Sequence, residues 1–500
     1  MRRFHLAWLV TVSSSLCAAE NTETFVERSQ TQARAVLDRS VAATGGEEAL
    51  RAVKALRLRL SGEAWPRLQM PTATPPFEAG TQDETLMLDL ENNVMVREQR
   101  TTGAGFEGHN TVVIQGGSGT TYDHRVRTAT PIPASQATQQ QFTQYYRRLP
   151  NLMLLQALNN PNSLRYLGRD SFEGRPHEII TFVMADTQQV SLYVDARSAL
   201  ISKYELIFVD ALEGEEASEI VYGDYAPVGK IQVPRTFTLR QLGEPLFMFK
   251  VQAEFNPPAD ERTANVSAEG YTKVDAPPAT FEANVEKLAD GVYAIQHTAG
   301  QNQHALAVEF ADYVAVVEAP GTSGGSDTVI AKIKELIPGK PIRYLVMTHH
   351  HGDHIGGLRS YVAEGATIVT TKGNVDVVRA MASSKQNDRL GKEPRKVEIS
   401  LIEGGKRVLT DGRRTLELID VGPNPHAQEM VIAYLPGQKL IFQGDLFILP
   451  NNGPLGPPQA TTTAFARRLA KLNLDVDRIA GVHGPTATIE QFRSNTAGVQ

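Results

Sequence analysis

The chain has 500 residues, of which 41% are apolar and 21% charged, with a formal net charge of −6. A chain this long exceeds one hydrophobic core, so two or three domains are expected, and its composition excludes a disordered or fibrous protein. The acidic balance argues against a nucleic-acid binder, which carries a basic surface, and against attraction to anionic membranes.

Arg2 and Arg3 precede a short apolar stretch over 4–12 and small residues over 13–19. That order reads as a secretory signal, residues 1–19, cleaved near Ala19, which makes the mature protein periplasmic or secreted. Cys17 is the single cysteine; Ser14-Ser15-Leu16 is a poor context for lipid attachment there, and Cys17 is expected to leave with the signal. The mature chain then has no disulfide and no thiol nucleophile, and any metal must be held by His, Asp or Glu. No later segment is long and apolar enough to span a bilayer.

Helices are expected over 33–43 and 47–56, split by Gly45-Gly46. Strands dominate from there to about 255, at 55–64, 85–97, 111–114, 177–184, 190–195, 200–209, 219–225 and 247–255. Several alternate apolar and polar residues, the pattern of antiparallel strands buried on one face. A helix over 136–158 interrupts them. Gly116-Gly117-Ser118-Gly119 lacks the Lys of a phosphate loop and reads as a hairpin turn. Residues 20–274 are therefore taken as a β-rich N-terminal domain and 275–284, with Pro277-Pro278, as a linker. From 285 the rhythm changes. Strands are expected at 285–296, 305–310, 313–318, 342–347, 368–370, 415–421, 430–435, 439–443 and 478–482. Helices are expected at 327–336, 358–364, 375–383, 462–472 and from Thr488 onward. Gly321-Thr322-Ser323-Gly324-Gly325 matches a nucleophile elbow in letters, but the preceding Pro320 and the missing triad order make it a loop. His304, just before a strand, is a candidate for substrate contact.

The strongest chemical signal is Thr348-His349-His350-His351-Gly352-Asp353-His354, directly after an apolar strand. Histidines and an aspartate crowded at the end of a buried strand are costly to desolvate without a cation. Imidazole and carboxylate are the usual donors to zinc and similar metals. Three further strand ends offer His426, Asp445 and His483.

This H-x-H-x-D-H pattern, followed in order by those three residues, resembles the metallo-β-lactamase superfamily, over residues 285–500. The resemblance implies an α+β protein: a C-terminal αββα metallo-β-lactamase sandwich, the catalytic domain, preceded by an antiparallel β-rich domain with helices. It implies that His349, His351 and His426 bind one metal and Asp353, His354 and His483 a second, with Asp445 bridging both. The cofactor would be two zinc ions, with iron or manganese as alternatives. Asp353 would also be catalytic, orienting a metal-bridging hydroxide and accepting its proton. His350 is not expected to be a ligand, and Glu318 is expected to support the ligands rather than to react. The implied activity is an exported metallohydrolase acting on an ester, lactone, thioester or amide of a small-molecule substrate. Many true β-lactamases carry Cys or Ser where Asp445 stands, which lowers the β-lactamase reading within that class; a lactonase is its neighbour there. The rival from another class is a binding or carrier protein with a vestigial metal site. The N-terminal meander, with its Gly45-Gly46-Glu47-Glu48-Ala49-Leu50 helix start, resembles periplasmic lipoprotein-carrier domains.

Overall fold

The computed structural model describes residues 23–134, 145–185, 187–210, 212, 214–262, 266–275, 284–296, 303–451 and 453–498. The expected signal segment, nearly all of the expected linker and residues 136–144 of the expected helix lie outside them.

The fold is mixed α+β and strand-rich. A 14-stranded sheet runs from Ala55 to Lys273. At its middle, Ala55–Ala64 pairs with Gly80–Asp89 on one side and Glu244–Phe255 on the other, both antiparallel. Leu56, Leu58 and Leu60 alternate onto one face, and there helices Phe25–Thr44 and Pro150–Asn159 cover them with Val36, Leu37, Leu152 and Met153. Thr24 starts the first helix through a reciprocal capping box with Glu27, and Gly45 ends it at φ 137°.

The C-terminal half holds two sheets. The first, of seven strands, runs in chain order from Val285–Ala289 through Val292–Gln296, His304–Glu309, Val314–Val317, Ile342–Val346 and Thr367–Thr370 to Ile399–Leu401. The second, of six strands, runs from Lys406–Thr410 through Thr415–Asp420, Val431–Leu435, Leu440–Gln443 and Arg478–Gly481 to Ala487–Thr488. Strand periodicity explains how they stack. Val314 and Val316 point to one face of the first sheet, against helices Ser323–Leu336 and Leu358–Glu364. Ala315 and Val317 point to the other, against Leu418, Val431, Ala433 and Phe442 of the second sheet. Ile432 and Ile441 face outward beneath helices Ala460–Leu472 and Ile489–Asn495, with Phe465 and Phe492. The result is four layers, helix–sheet–sheet–helix. Both faces of each sheet are buried, so the central strands read as continuous apolar runs.

Several local expectations need correction. The single strand over 85–97 is two strands, Gly80–Asp89 and Val94–Gly103. Asp89 accepts from the backbone N–H groups of Glu91 and Asn92, and Asn93 takes φ 54°, so a turn separates them. Likewise 285–296 breaks at Asp290-Gly291, where Gly291 adopts φ 65°. The second helix stops at Arg51 instead of Leu56, because residues 55 and 56 belong to the central strand. Gly116 and Gly117 form the tip of a hairpin with φ 60° and 79°. In the elbow-like segment, Thr322 caps the helix that begins at Ser323 by accepting from Gly325 N–H.

Candidate metal centre

Four loops deliver their side chains to one rim of the paired sheets. His349 and His351 follow strand Ile342–Val346, and a one-turn helix, Gly352–Ile355, carries Asp353 and His354. His426 lies in the loop after Thr415–Asp420, Asp445 follows Leu440–Gln443, and His483 follows Arg478–Gly481. The seven residues converge into two four-membered sets. His349, His351, His426 and Asp445 form one; Asp353, His354, Asp445 and His483 form the other. Within each set the ligand atoms lie within 4.8 Å of one another, and Asp445 belongs to both.

Distances around Asp445 are short. Its Oδ2 is 2.9 Å from His426 Nε2 and 3.1 Å from His354 Nε2, and its Oδ1 is 3.2 Å from His483 Nε2. That Oδ1 contact lacks hydrogen-bond geometry, so Oδ1 is a buried oxygen without a partner. His351 Nδ1 is likewise buried and unpartnered. His426 Nε2 and His349 Nε2 face each other at 3.1 Å, and His483 Nε2 and His354 Nε2 at 3.3 Å. Orphaned acceptors and opposed ring nitrogens are what a cation would satisfy.

The outward nitrogens fix which atom points inward. His354 Nδ1 donates to Glu318 Oε2 at 2.8 Å, His351 Nε2 to Met70 O at 2.9 Å, and His426 Nδ1 to Ala104 O at 3.0 Å. A neutral imidazole that donates from one nitrogen presents a lone pair from the other. All three lone pairs then point into the cluster, the arrangement that supports metal-binding histidines. Glu318 is fully buried at φ 75°, and its other oxygen accepts from Thr348 N–H at 2.6 Å. A left-handed glutamate is strained backbone, retained where its side chain orients the ligand loop.

Electrostatics follow from burial and crowding. Burial, reinforced by neighbouring imidazoles, pushes His349 and His351 well below the ordinary histidine range. Burial also opposes charge on His354, but Asp445, Asp353 and Glu318 outweigh it and raise its pKa well above that range. Desolvation would raise Asp445, yet His354, His426 and His483 hold it well below the carboxylate range, and Asp353 is lowered for similar reasons. The carboxylates thus stay anionic and His349 and His351 uncharged, while the proton that the carboxylates hold on His354 is the one a bound cation would displace to free its inward lone pair. That combination suits a divalent cation.

His350 is buried but donates from Nε2 to Met70 O at 2.9 Å, away from both sets. His304 is held by the carbonyl of Val482, through its backbone N–H at 2.8 Å and Nδ1 at 3.1 Å. Sequence reasoning missed the contribution of the N-terminal sheet. Gln69 donates to Asp353 Oδ1 at 2.6 Å, and Phe106 meets the His426 ring edge-on at a centroid distance of 5.1 Å. Nothing in residues 65–76 or 103–106 announces a metal-site role, because two of the contacting groups are backbone carbonyls.

Comparison with known families matches residues 308–483 to the metallo-beta-lactamase superfamily. No curated protein matches the chain. Similar solved structures include TMB-1, at 16% identity over 44% of this chain and 97% of that one, with a TM-score of 0.35. FIM-1 from Pseudomonas aeruginosa, solved in a mono-zinc form, shares 21% identity over 44% of this chain and 96% of its own, with a TM-score of 0.34. The metallo-beta-lactamase of Pontibacter korlensis shares 18% over 44% and 99%, also with a TM-score of 0.34. The C-terminal half of this chain therefore carries a metallo-beta-lactamase superfamily domain, recognised over residues 308–483.

Proposed function

We propose that this protein is an exported metallohydrolase that binds two divalent cations, zinc by preference, and cleaves an ester, lactone, thioester or amide. One observation carries the reading: seven His and Asp side chains converge on two adjoining four-donor sets that share Asp445. The donor set is all nitrogen and carboxylate oxygen, which suits zinc and leaves iron and manganese as rivals. His349, His351 and His426 would hold the first cation and Asp353, His354 and His483 the second, with Asp445 contributing to both. When bound, such a pair lowers the pKa of water and polarises a carbonyl.

The chain's own residues set the geometry. The side chains of Asp353 and His483 are 31% and 19% exposed, whereas that of Asp445 is 9% exposed, so substrate approaches from the side of the second set. Gln69 occupies Asp353 Oδ1. Oδ2, which faces His354 at 3.5 Å and His483 at 3.3 Å, is left as the oxygen that would hold the second cation and, beside it, orient the attacking water and take up its proton. Export rests on Arg2, Arg3 and the apolar and small residues up to Ala19. No helix among the described residues is long and apolar enough to cross a membrane.

The test is metal analysis of the purified protein, followed by a panel of nitrocefin, homoserine lactones, thioesters and aryl phosphates with and without chelator. Stoichiometric zinc and chelator-sensitive carbonyl hydrolysis are expected. A chain without stoichiometric metal would overturn the reading in favour of a binding protein; N-terminal sequencing of exported material checks cleavage near Ala19.

A further inference from the structure

We infer that the N-terminal sheet is a working part of the metal centre. Its hairpin tip would set the affinity of the first cation position through His426, and Gln69 would set that of the second as the positioning residue for Asp353. The inference rests on the metal reading above and extends it to residues outside the matched family region.

The first segment follows strand Ala55–Ala64 and crosses the rim as a strap. Leu68 O accepts from Gly352 N–H at 2.8 Å, Met70 O accepts from His350 and His351, and Pro71 O accepts from Gln428 N–H at 2.8 Å. It thus bonds to the histidine loop and to the His426 loop within four residues. Its Gln69 amide, 2.6 Å from Asp353 Oδ1, removes one carboxylate oxygen from competition and turns the other toward His354 and His483. The second segment is the tip of the hairpin between Val94–Gly103 and Phe106–Gln115. Ala104 O fixes the His426 ring, and Phe106 packs on its edge. Gly105 has φ 75°, and a Cβ there would lie 2.9 Å from Pro425 Cβ and 3.2 Å from His426 N. The tip is seated so closely on the His426 loop that only glycine fits.

The assignment by position follows. The hairpin acts on His426, which belongs to the first set only. Gln69 acts on Asp353, which belongs to the second set only. Outer partners of metal ligands typically change affinity about 10–100-fold when removed.

Gly105→Ala, Phe106→Ala and Gln69→Leu in the full-length chain test this by cobalt(II) titration against a competing chelator. Visible absorption reports the coordination of each position. Gly105→Ala and Phe106→Ala are expected to weaken the His349–His351–His426 position about 10–100-fold and to leave the other within twofold. Gln69→Leu is expected to do the reverse. A role confined to packing would lower the melting temperature of the metal-free chain and leave both affinities unchanged. Folded variants that bind both cobalt ions within twofold of the parent therefore overturn the inference. Phe106→Ala keeps the hairpin test decisive if Gly105→Ala does not fold. A parent chain that takes up no cobalt overturns the metal reading itself, a result distinct from failure of the variants.

Discussion

Glu318→Gln gives the sharpest test of how the ligand loop is oriented. The side chain is fully buried and accepts two hydrogen bonds, from Thr348 N–H at 2.6 Å and from His354 Nδ1 at 2.8 Å. Glutamine has nearly the same shape but offers one acceptor and one NH2 group. Either amide orientation sets that NH2 against a donor. If it faces His354, the ring must move its proton to Nε2, the nitrogen that points into the cluster, and the lone pair is lost there. If it faces Thr348, a buried backbone N–H is left unpaired, which costs roughly 1–3 kcal/mol. By the usual effect of an outer partner, metal affinity should fall about 10–100-fold, or ~1.4–2.8 kcal/mol. With free metal at about 100 times the parent Kd, bound metal contributes ~2.7 kcal/mol of stability. A site weakened about 100-fold would contribute only ~0.4 kcal/mol under the same conditions. For a region of this size, the difference removes roughly 5–9 °C from the metal-induced rise in Tm. Calorimetry with and without metal, alongside chelator competition, measures both quantities. A Glu318→Gln protein with metal affinity within twofold of the parent and the full metal-induced rise in Tm would refute the argument.

Three other outcomes follow from the same geometry. Asp445→Asn removes the one carboxylate common to both sets, so each position should weaken at least about tenfold and metal content should fall below two per chain by elemental analysis. His350→Gln should leave the metal content unchanged, because the His350 ring bonds Met70 O and neither set; a lost cation would assign it as a ligand. Far from the site, buried Arg359 grips Asp388 through Nε at 2.5 Å and Nη2 at 2.9 Å and also reaches the carbonyls of Met381 and Ser384. Arg359→Met should cost about 3–5 kcal/mol, read by denaturant unfolding, since it strands a half-buried carboxylate. Burial opposes charge on Asp388, but the Arg359 and Gly391 hydrogen bonds hold its carboxyl below the ordinary 3.8. A depressed pKa stabilises the fold above the unfolded value and ceases to do so as pH falls through the folded one. The acid limb of the stability profile should therefore flatten in Arg359→Met.

Legibility of the fold tracked burial. The C-terminal strands stood out because both faces are covered: Val314, Ala315, Val316 and Val317 are all fully buried, so the segment is unbrokenly apolar. The N-terminal strands that escaped notice, such as Arg165–Phe172 and Ile231–Gln241, are largely half-exposed and carry Arg, Asp, Gln and Thr, which hides their period. Turns were missed where a side chain makes them, as Asp89 does, and at Asp290-Gly291, where a single glycine sits between two strand-like runs. The edge pairings of the larger sheet were also invisible, because two-residue strands such as Thr272–Lys273 exist only through their partner.

The convergence of the candidate ligands was legible for a different reason. The donors are His and Asp, residues that rarely lie buried without a purpose, and they recur at strand ends whose apolar runs mark the rim. What holds those donors in place is less visible, and the contrast is chemical. Glu318 could be named as a supporting group because its carboxylate is a side chain. Met70 and Ala104 act through carbonyls that every residue possesses, from positions 281 and 322 residues away in the chain from the histidines they meet. A sequence motif can record which atoms bind a cation, but not which peptide groups turn them toward it. In this protein that second task falls to two segments of a sheet outside the family region, so the candidate metal centre draws on more of the chain than the domain that carries its proposed ligands.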